Sequence, residues 1–174
     1  TAKANRYKDA NSGTNMVTKE PSHSDFELDV VLCEIEGGGH YAIPQKRLFR
    51  LEEFDRAHVE LSGRSVVTPY RNKMLTFVDL GKLISGHSDF SPSLDVQGAL
   101  HTLVVQHKQG FVGFVVHQIQ DLVNVQSPPQ EGTRKQRGCS GWLILGEKSV
   151  VLIDVDEILA LVSSPEKTTT KPYL

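Results

Sequence analysis

Gly138-Cys139-Ser140-Gly141-Trp142 is the stretch of this chain best suited to reactive chemistry. A glycine-flanked Ser or Cys is how a nucleophile is presented on a tight turn. A nucleophile elbow, however, needs Gly-x-Ser-x-Gly at a strand-to-helix turn. Here Trp142 stands where the last glycine belongs, and a strand pattern follows. A nucleophile must also be armed by a base and an orienting acid. His101, His107 and His117 are the candidate bases, and no spacing brings them to Cys139. The motif is better read as a glycine-flanked turn entering a strand. A small β-barrel hydrolase using Cys139 or Ser140 is the lesser alternative.

Metal chemistry finds no better footing. The seven histidines form no HxH, HExxH or Cys/His cluster. His23 and His87 fall in polar loops, and His40 sits at a hairpin turn. Glu52-Glu53 looks like a solvated acidic pair. Asp154 and Asp156 belong to a helix N-terminus, where acids favour the dipole. Gly37-Gly38-Gly39 lacks the Lys-Ser/Thr and helix of a phosphate-binding loop. No kinase nucleotide motif is present. The sequence therefore predicts no catalytic residue, no cofactor and no metal.

Bulk properties narrow the partners. The chain has 174 residues, 39% hydrophobic, with net charge −2. A core is affordable, and the near balance of charge argues against nucleic acid and against a polybasic membrane anchor. No apolar run approaches the roughly 18 residues of a membrane span, so direct membrane insertion is not expected. Cys33 and Cys139 are far apart and in no CxxC pair, as fits reduced thiols in a cytoplasmic protein.

The elements that must position any site are β-strands. Residues 1–25 are polar and aperiodic, as expected of a flexible arm; residues 163–174 match a flexible tail. Between them, Leu28 to Ile35 alternates, three glycines break the pattern, and His40 to Pro44 resumes it, which is a hairpin signal. Strands are expected over Lys46–Leu51, from Val66, and over Lys73–Val78. Asp79 is placed to cap a helix through Ile84. Residues 85–98 form a Ser/Gly/Asp/Pro-rich connection. Strands follow over Leu100–His107, Phe111–Val116 and Ile119–Val125. Pro128-Pro129 marks a loop, and a hairpin over Gly141–Leu145 and Ser149–Ile153 leads to a second helix opened by Asp154.

These elements repeat. Leu75-Thr76-Phe77-Val78-Asp79-Leu80 matches Val150-Val151-Leu152-Ile153-Asp154-Val155, with the two aspartates 75 positions apart. Val31–Ile43 matches Leu103–Val115, 72 positions apart. Two matches in the same order point to a duplicated unit, the alternative being that β-hairpins simply look alike. The expectation is an all-β protein of two similar five-stranded barrels packed together, with short helices after the last strand of each repeat. The first lobe spans 26–97 and the second 98–162, with exchange of terminal elements allowed. Barrel closure removes exposed sheet edges.

Five segments in order resemble the CheW-like domain family, which includes the CheW coupling protein and the regulatory domain of the chemotaxis histidine kinase CheA. Tyr41-Ala42-Ile43-Pro44 resembles the family's opening hairpin. Leu48-Phe49-Arg50-Leu51-Glu52-Glu53-Phe54 resembles the next strand of CheA-type members. Tyr70-Arg71-Asn72-Lys73-Met74-Leu75 resembles the "YRGxxL" element. Gly113–Val116 with Ile119–Val123 resembles a central hairpin, and Gly141–Asp154 the closing stretch. Asn72 replaces a usual glycine, Thr76 a frequent proline and His117 a frequent Asp. Asn tolerates a left-handed turn, so the bend at Asn72 is expected to survive.

The resemblance implies SH3-like barrels without enzymatic activity. It implies binding to CheW-like domains, to the cytoplasmic tips of chemoreceptors and to the histidine kinase CheA, at membrane-bound receptor arrays. The kinase-derived domain is the favoured form and a standalone CheW-type adaptor the alternative. The Tyr70-Arg71-Asn72-Lys73 turn is the expected partner-contacting loop, with Arg71 as anchor. Phe49 and Leu51 are further candidates, although core positions are the more usual place for such residues. Trp142 is expected to pack inside.

Overall fold

A computed structural model describes residues 25–163. Except for Asp25 and Ser163, the expected arm and tail lie outside the described residues. The strands are β1 (Leu28–Glu34), β2 (His40–Pro44), β3 (Arg50–Asp55), β4 (Glu60–Ser62), β5 (Ser65–Tyr70), β6 (Lys73–Asp79), β7 (Ala99–His107), β8 (Gly110–Val116), β9 (Gln118–Val125), β10 (Cys139–Leu145) and β11 (Lys148–Ile153). Helix α1 (Leu80–Ile84) follows β6, and α2 (Val155–Ser163) follows β11.

Both helices start as the sequence predicts. Asp79 accepts a hydrogen bond from the Lys82 amide at 3.0 Å, and Asp154 accepts one from the Glu157 amide at 3.1 Å. Each carboxylate satisfies an amide that the first helical turn leaves without a partner. The third strand differs from expectation. Pro44 ends β2, and the polar run Gln45-Lys46-Arg47 makes one 3-10 turn, so that β3 begins at Arg50 and not at Lys46. β4 is a three-residue edge, too short to leave a period in the sequence.

The strands form two sheets, ordered β10-β11-β2-β1-β9 and β3-β7-β8-β6-β5-β4. The pairs β2–β11 and β6–β8 are parallel. The two orders are one order written twice: replacing β1, β2, β3, β5 and β6 by β7, β8, β9, β10 and β11, and the reverse, converts either sheet into the other. Only β4 lacks a counterpart. Each sheet takes its first hairpin from one repeat and its remaining strands from the other. The sheets therefore do not follow a division between residues 97 and 98.

Period-two alternation distributes side chains among three cores. Val66, Leu75, Phe77, Leu100, Val104, Phe111 and Val115 fill the six-stranded barrel. Val30, Ala42, Val125, Leu143, Val150 and Leu152 fill the five-stranded one. A central core between them holds Val31, Cys33, Ile43, Val78, Leu103, Phe114 and Ile153 together with both helices. β8 is thus buried on both faces, which explains its unbroken apolar run Phe111-Val112-Gly113-Phe114-Val115-Val116. Gly113 is required there: a Cβ would lie 2.6 Å from Thr102 Cγ2.

The repeat holds face for face at its second match. Val78 and Ile153, Leu80 and Val155, and Leu83 and Ile158 all enter the central core. In the opening hairpins the first strands agree, with Val31 and Cys33 matching Leu103 and Val105. Their partners do not keep the same offset. Cys33 pairs with Tyr41 and Val105 with Val112, so Ile43 corresponds to Phe114 and not to Val115. The two turns differ in length by an odd number of residues, and this shifts the phase by one.

Candidate functional site

Arg71 and Asn72 are the two residues joining β5 to β6, and Tyr70 pairs with Lys73 across them. Both have positive φ, 53° and 64°. Two-residue hairpins favour such turns because their twist matches that of the flanking strands. Asn72 adopts the left-handed bend expected of it. Arg71 does so at a cost of about 1–2 kcal/mol, since its Cβ crowds the carbonyl. Its guanidinium carbon lies 5.1 Å from the Phe49 ring centroid and 5.7 Å from that of Tyr70. Each such contact returns about 0.5–1 kcal/mol at a solvent-facing position.

The platform beneath Arg71 reaches into the barrel. Tyr70 and Phe111 rings are 5.0 Å apart, Phe49 and Phe111 5.1 Å, and Phe54 and Phe77 5.1 Å. Edge-to-face and tilted pairs at these spacings are favourable. The Tyr70 hydroxyl donates to Glu52 at 2.6 Å, and Arg50 Nε contacts the same carboxylate oxygen at 3.0 Å. Burial pushes the Tyr70 hydroxyl above its ordinary pKa, and its hydrogen bond to Glu52 raises it further. Glu52 is therefore not a freely solvated acid, as its sequence context suggested. It fixes the ring on which Arg71 rests.

Phe49 and Leu51 are not core residues. They are 38% and 42% exposed: Leu51 lies on β3, an edge strand of its sheet, and Phe49 lies just before that strand. Phe49 joins the Arg71 platform. Leu51 does not: alternation turns it to the opposite face of β3 from Glu52 and Phe54, where it lines a cleft with His101, His117 and Ile119. Tyr70, Arg71, Asn72, Lys73 and Phe49 thus share one end of the six-stranded barrel, and Leu51 stands apart. Met74, 53% exposed, follows directly on this turn and was not anticipated. Glu52 and Phe111 were also missed as supports. The alternation of β3, which places Glu52 beside Phe54, was the available signal.

The nucleophile reading fails on geometry. Cys139 is buried in the central core, and burial pushes its thiol up to about 11. Cys33 is pushed up by burial to about 12. Ser140 faces the Leu152 carbonyl at 3.5 Å. The three candidate bases are engaged elsewhere, His101 with Glu53 at 3.2 Å, His117 with Glu36 at 3.5 Å and His107 with Ser163 at 2.6 Å. Trp142 is only half-buried, at the margin of the central core, with its backbone bridged to Gln130. Among the described residues, no group of three or more His, Cys, Asp or Glu is arranged to hold a metal ion, and no helix is long and apolar enough to cross a membrane.

Comparison with known proteins agrees with this architecture. No curated protein matches the chain. Among solved structures, it is similar to the scaffolding protein TtCheW from Thermoanaerobacter tengcongensis, with a TM-score of 0.58 at 13% identity, covering 82% of this chain and 97% of that one. Likeness at that identity speaks for the fold: two SH3-like barrels side by side. The profile of the CheW-like domain matches residues 29–163, nearly all that the structure describes, and on that match the chain belongs to the CheW-like domain family.

Proposed function

We propose that this chain is a non-catalytic docking and regulatory domain of a chemosensory array. It binds CheW-like partner domains and chemoreceptor tips, and so couples receptor state to the histidine kinase CheA. Its place is the cytoplasmic face of membrane-bound receptor arrays. Family membership supports the scaffold role. The observation that carries the choice of surface is the Arg71 guanidinium, held over Phe49 and Tyr70 on a packed aromatic platform. Arg and aromatic residues set in a fixed frame are typical of energetic centres in protein interfaces.

The CheA-type wording of residues 48–80 favours the kinase-derived form. A standalone CheW-type adaptor with the same fold is the alternative. A dimerisation and ATP-binding region upstream in the full-length gene product marks the first form, and a free-standing product marks the second.

The docking surface is tested by Arg71→Ala in a titration against a receptor-tip fragment and a kinase regulatory fragment. The expected result is a loss of about tenfold or more in affinity, with the fold intact and only the small loss of thermal stability that the two ring contacts account for, about 1–2 kcal/mol. Unchanged affinity for both fragments removes Arg71 from the surface.

A further inference from the structure

Neither repeat holds a complete sheet or a complete core. The strand pairs β1–β9, β2–β11, β3–β7 and β6–β8 all join the first repeat to the second. Each of the three cores draws side chains from both repeats. A repeat separated from its complement therefore bares unpaired strand edges and apolar faces, which are a template for another chain. A second copy offers the same complement, residue for residue.

The repeats are joined by a connection that differs along its length. Its first part is fastened: the Phe90 carbonyl accepts from the Asp79 amide at 2.7 Å, and Phe90 and Leu94 pack against the cores. Arg56 holds the carbonyl of Ser93 at 2.9 Å on one side and that of Ala99 at 3.3 Å on the other. Between these fastenings, Asp95, Val96, Gln97 and Gly98 are exposed; the Gly98 carbonyl accepts from the Arg56 amide at 3.2 Å, and Val96 is a large apolar side chain left 53% in solvent. Val96, Gln97 and Gly98 border an open cleft of about 720 Å³ with Phe54 and Arg56. Gly98 has φ +116°, a conformation nearly private to glycine.

We propose that two copies of this chain exchange repeats about Asp95–Gly98. Each copy gives β1–β6 with α1 to one double-barrel body and β7–β11 with α2 to the other. Every sheet pairing and every core of the monomer is kept in the exchanged dimer, so only the connection changes. Closure within one chain competes at the effective concentration that a short connection sets, on the order of millimolar. Exchange is therefore rare when dilute copies fold and substantial when copies fold together at high concentration. The exchanged particle carries two Arg71 turns and presents any docking surface twice. The inference rests on topology and is independent of what binds at Arg71.

The test uses the full chain. Natural-abundance and 15N-labelled copies are mixed, unfolded and refolded together at about 1 mM, near the effective concentration above. The expected product is a dimer of which about half carries one light and one heavy chain, with the circular dichroism of the monomer and persistence on dilution. The same mixture without unfolding gives no mixed dimer over the same time. A deletion of Asp95–Gln97 shifts the chain further toward the dimer. Monomer alone after joint refolding overturns the proposal, whatever the deletion does. Mixed dimers that appear equally fast without unfolding also overturn it, because they would report surface association.

Discussion

Arg71 sits in a backbone conformation that its own Cβ disfavours, and the two rings beneath its guanidinium offset part of that cost. Strain at such a position points to a role for the side chain. Arg71→Gly separates the two terms. Glycine relieves the turn but removes the guanidinium, so melting temperature should hold or rise slightly while partner affinity falls. A variant that is both destabilised and fully competent to bind would contradict this. The cysteines give a second residue-scale prediction. With thiols pushed by burial to about 12 and about 11, neither forms thiolate near neutrality. Iodoacetamide between about pH 7 and 9 should leave the native protein unmodified and label both sites after unfolding; rapid native labelling of Cys139 would revive the nucleophile reading. The left-handed turn at Asn72 was legible because Asn stands where the resemblance has glycine and tolerates that conformation. The bond from Tyr70 to Glu52 was not legible, since no spacing rule links residues 18 positions apart in different strands.

At the scale of elements, the signals that proved reliable were local ones. Alternation marked most of the strands, and Asp79 and Asp154 marked the starts of α1 and α2. The strand placed over Lys46–Leu51 was wrong because Pro44 and a polar tripeptide divert the chain through a 3-10 turn first. The equivalence of the caps is itself testable. Asp79→Ala and Asp154→Ala should each cost about 1 kcal/mol, the usual loss for a helix N-cap, and by similar amounts in denaturant titrations. A cost confined to one of them would mean that the repeats are not energetically equivalent. The phase slip between Ile43 and Val115 shows the limit of reading a repeat at fixed offset. A turn altered by an odd number of residues reverses every side chain beyond it.

For the whole molecule, the sequence showed that the chain repeats but not that the repeats interlock. Alternation reports which face of a strand is apolar; it does not report which strand lies beside it. The residues of β1 would suit a barrel built from its own repeat as well as the one it forms with β9. Interlocking predicts one cooperative unfolding transition. The fluorescence of Trp142, at the central core, and near-ultraviolet circular dichroism, which is sensitive to the Phe49–Tyr70–Phe111 cluster, should give the same midpoint. Two separated midpoints would mean that the barrels unfold independently. The proposed role makes its own demand, because a docking domain is useful only through what it holds. The most direct measurement is calorimetric titration of the wild-type domain with a chemoreceptor cytoplasmic tip and with a CheA regulatory fragment. Saturable binding to at least one of them is expected, weakened by Arg71→Ala. Binding to neither would contradict the proposed role.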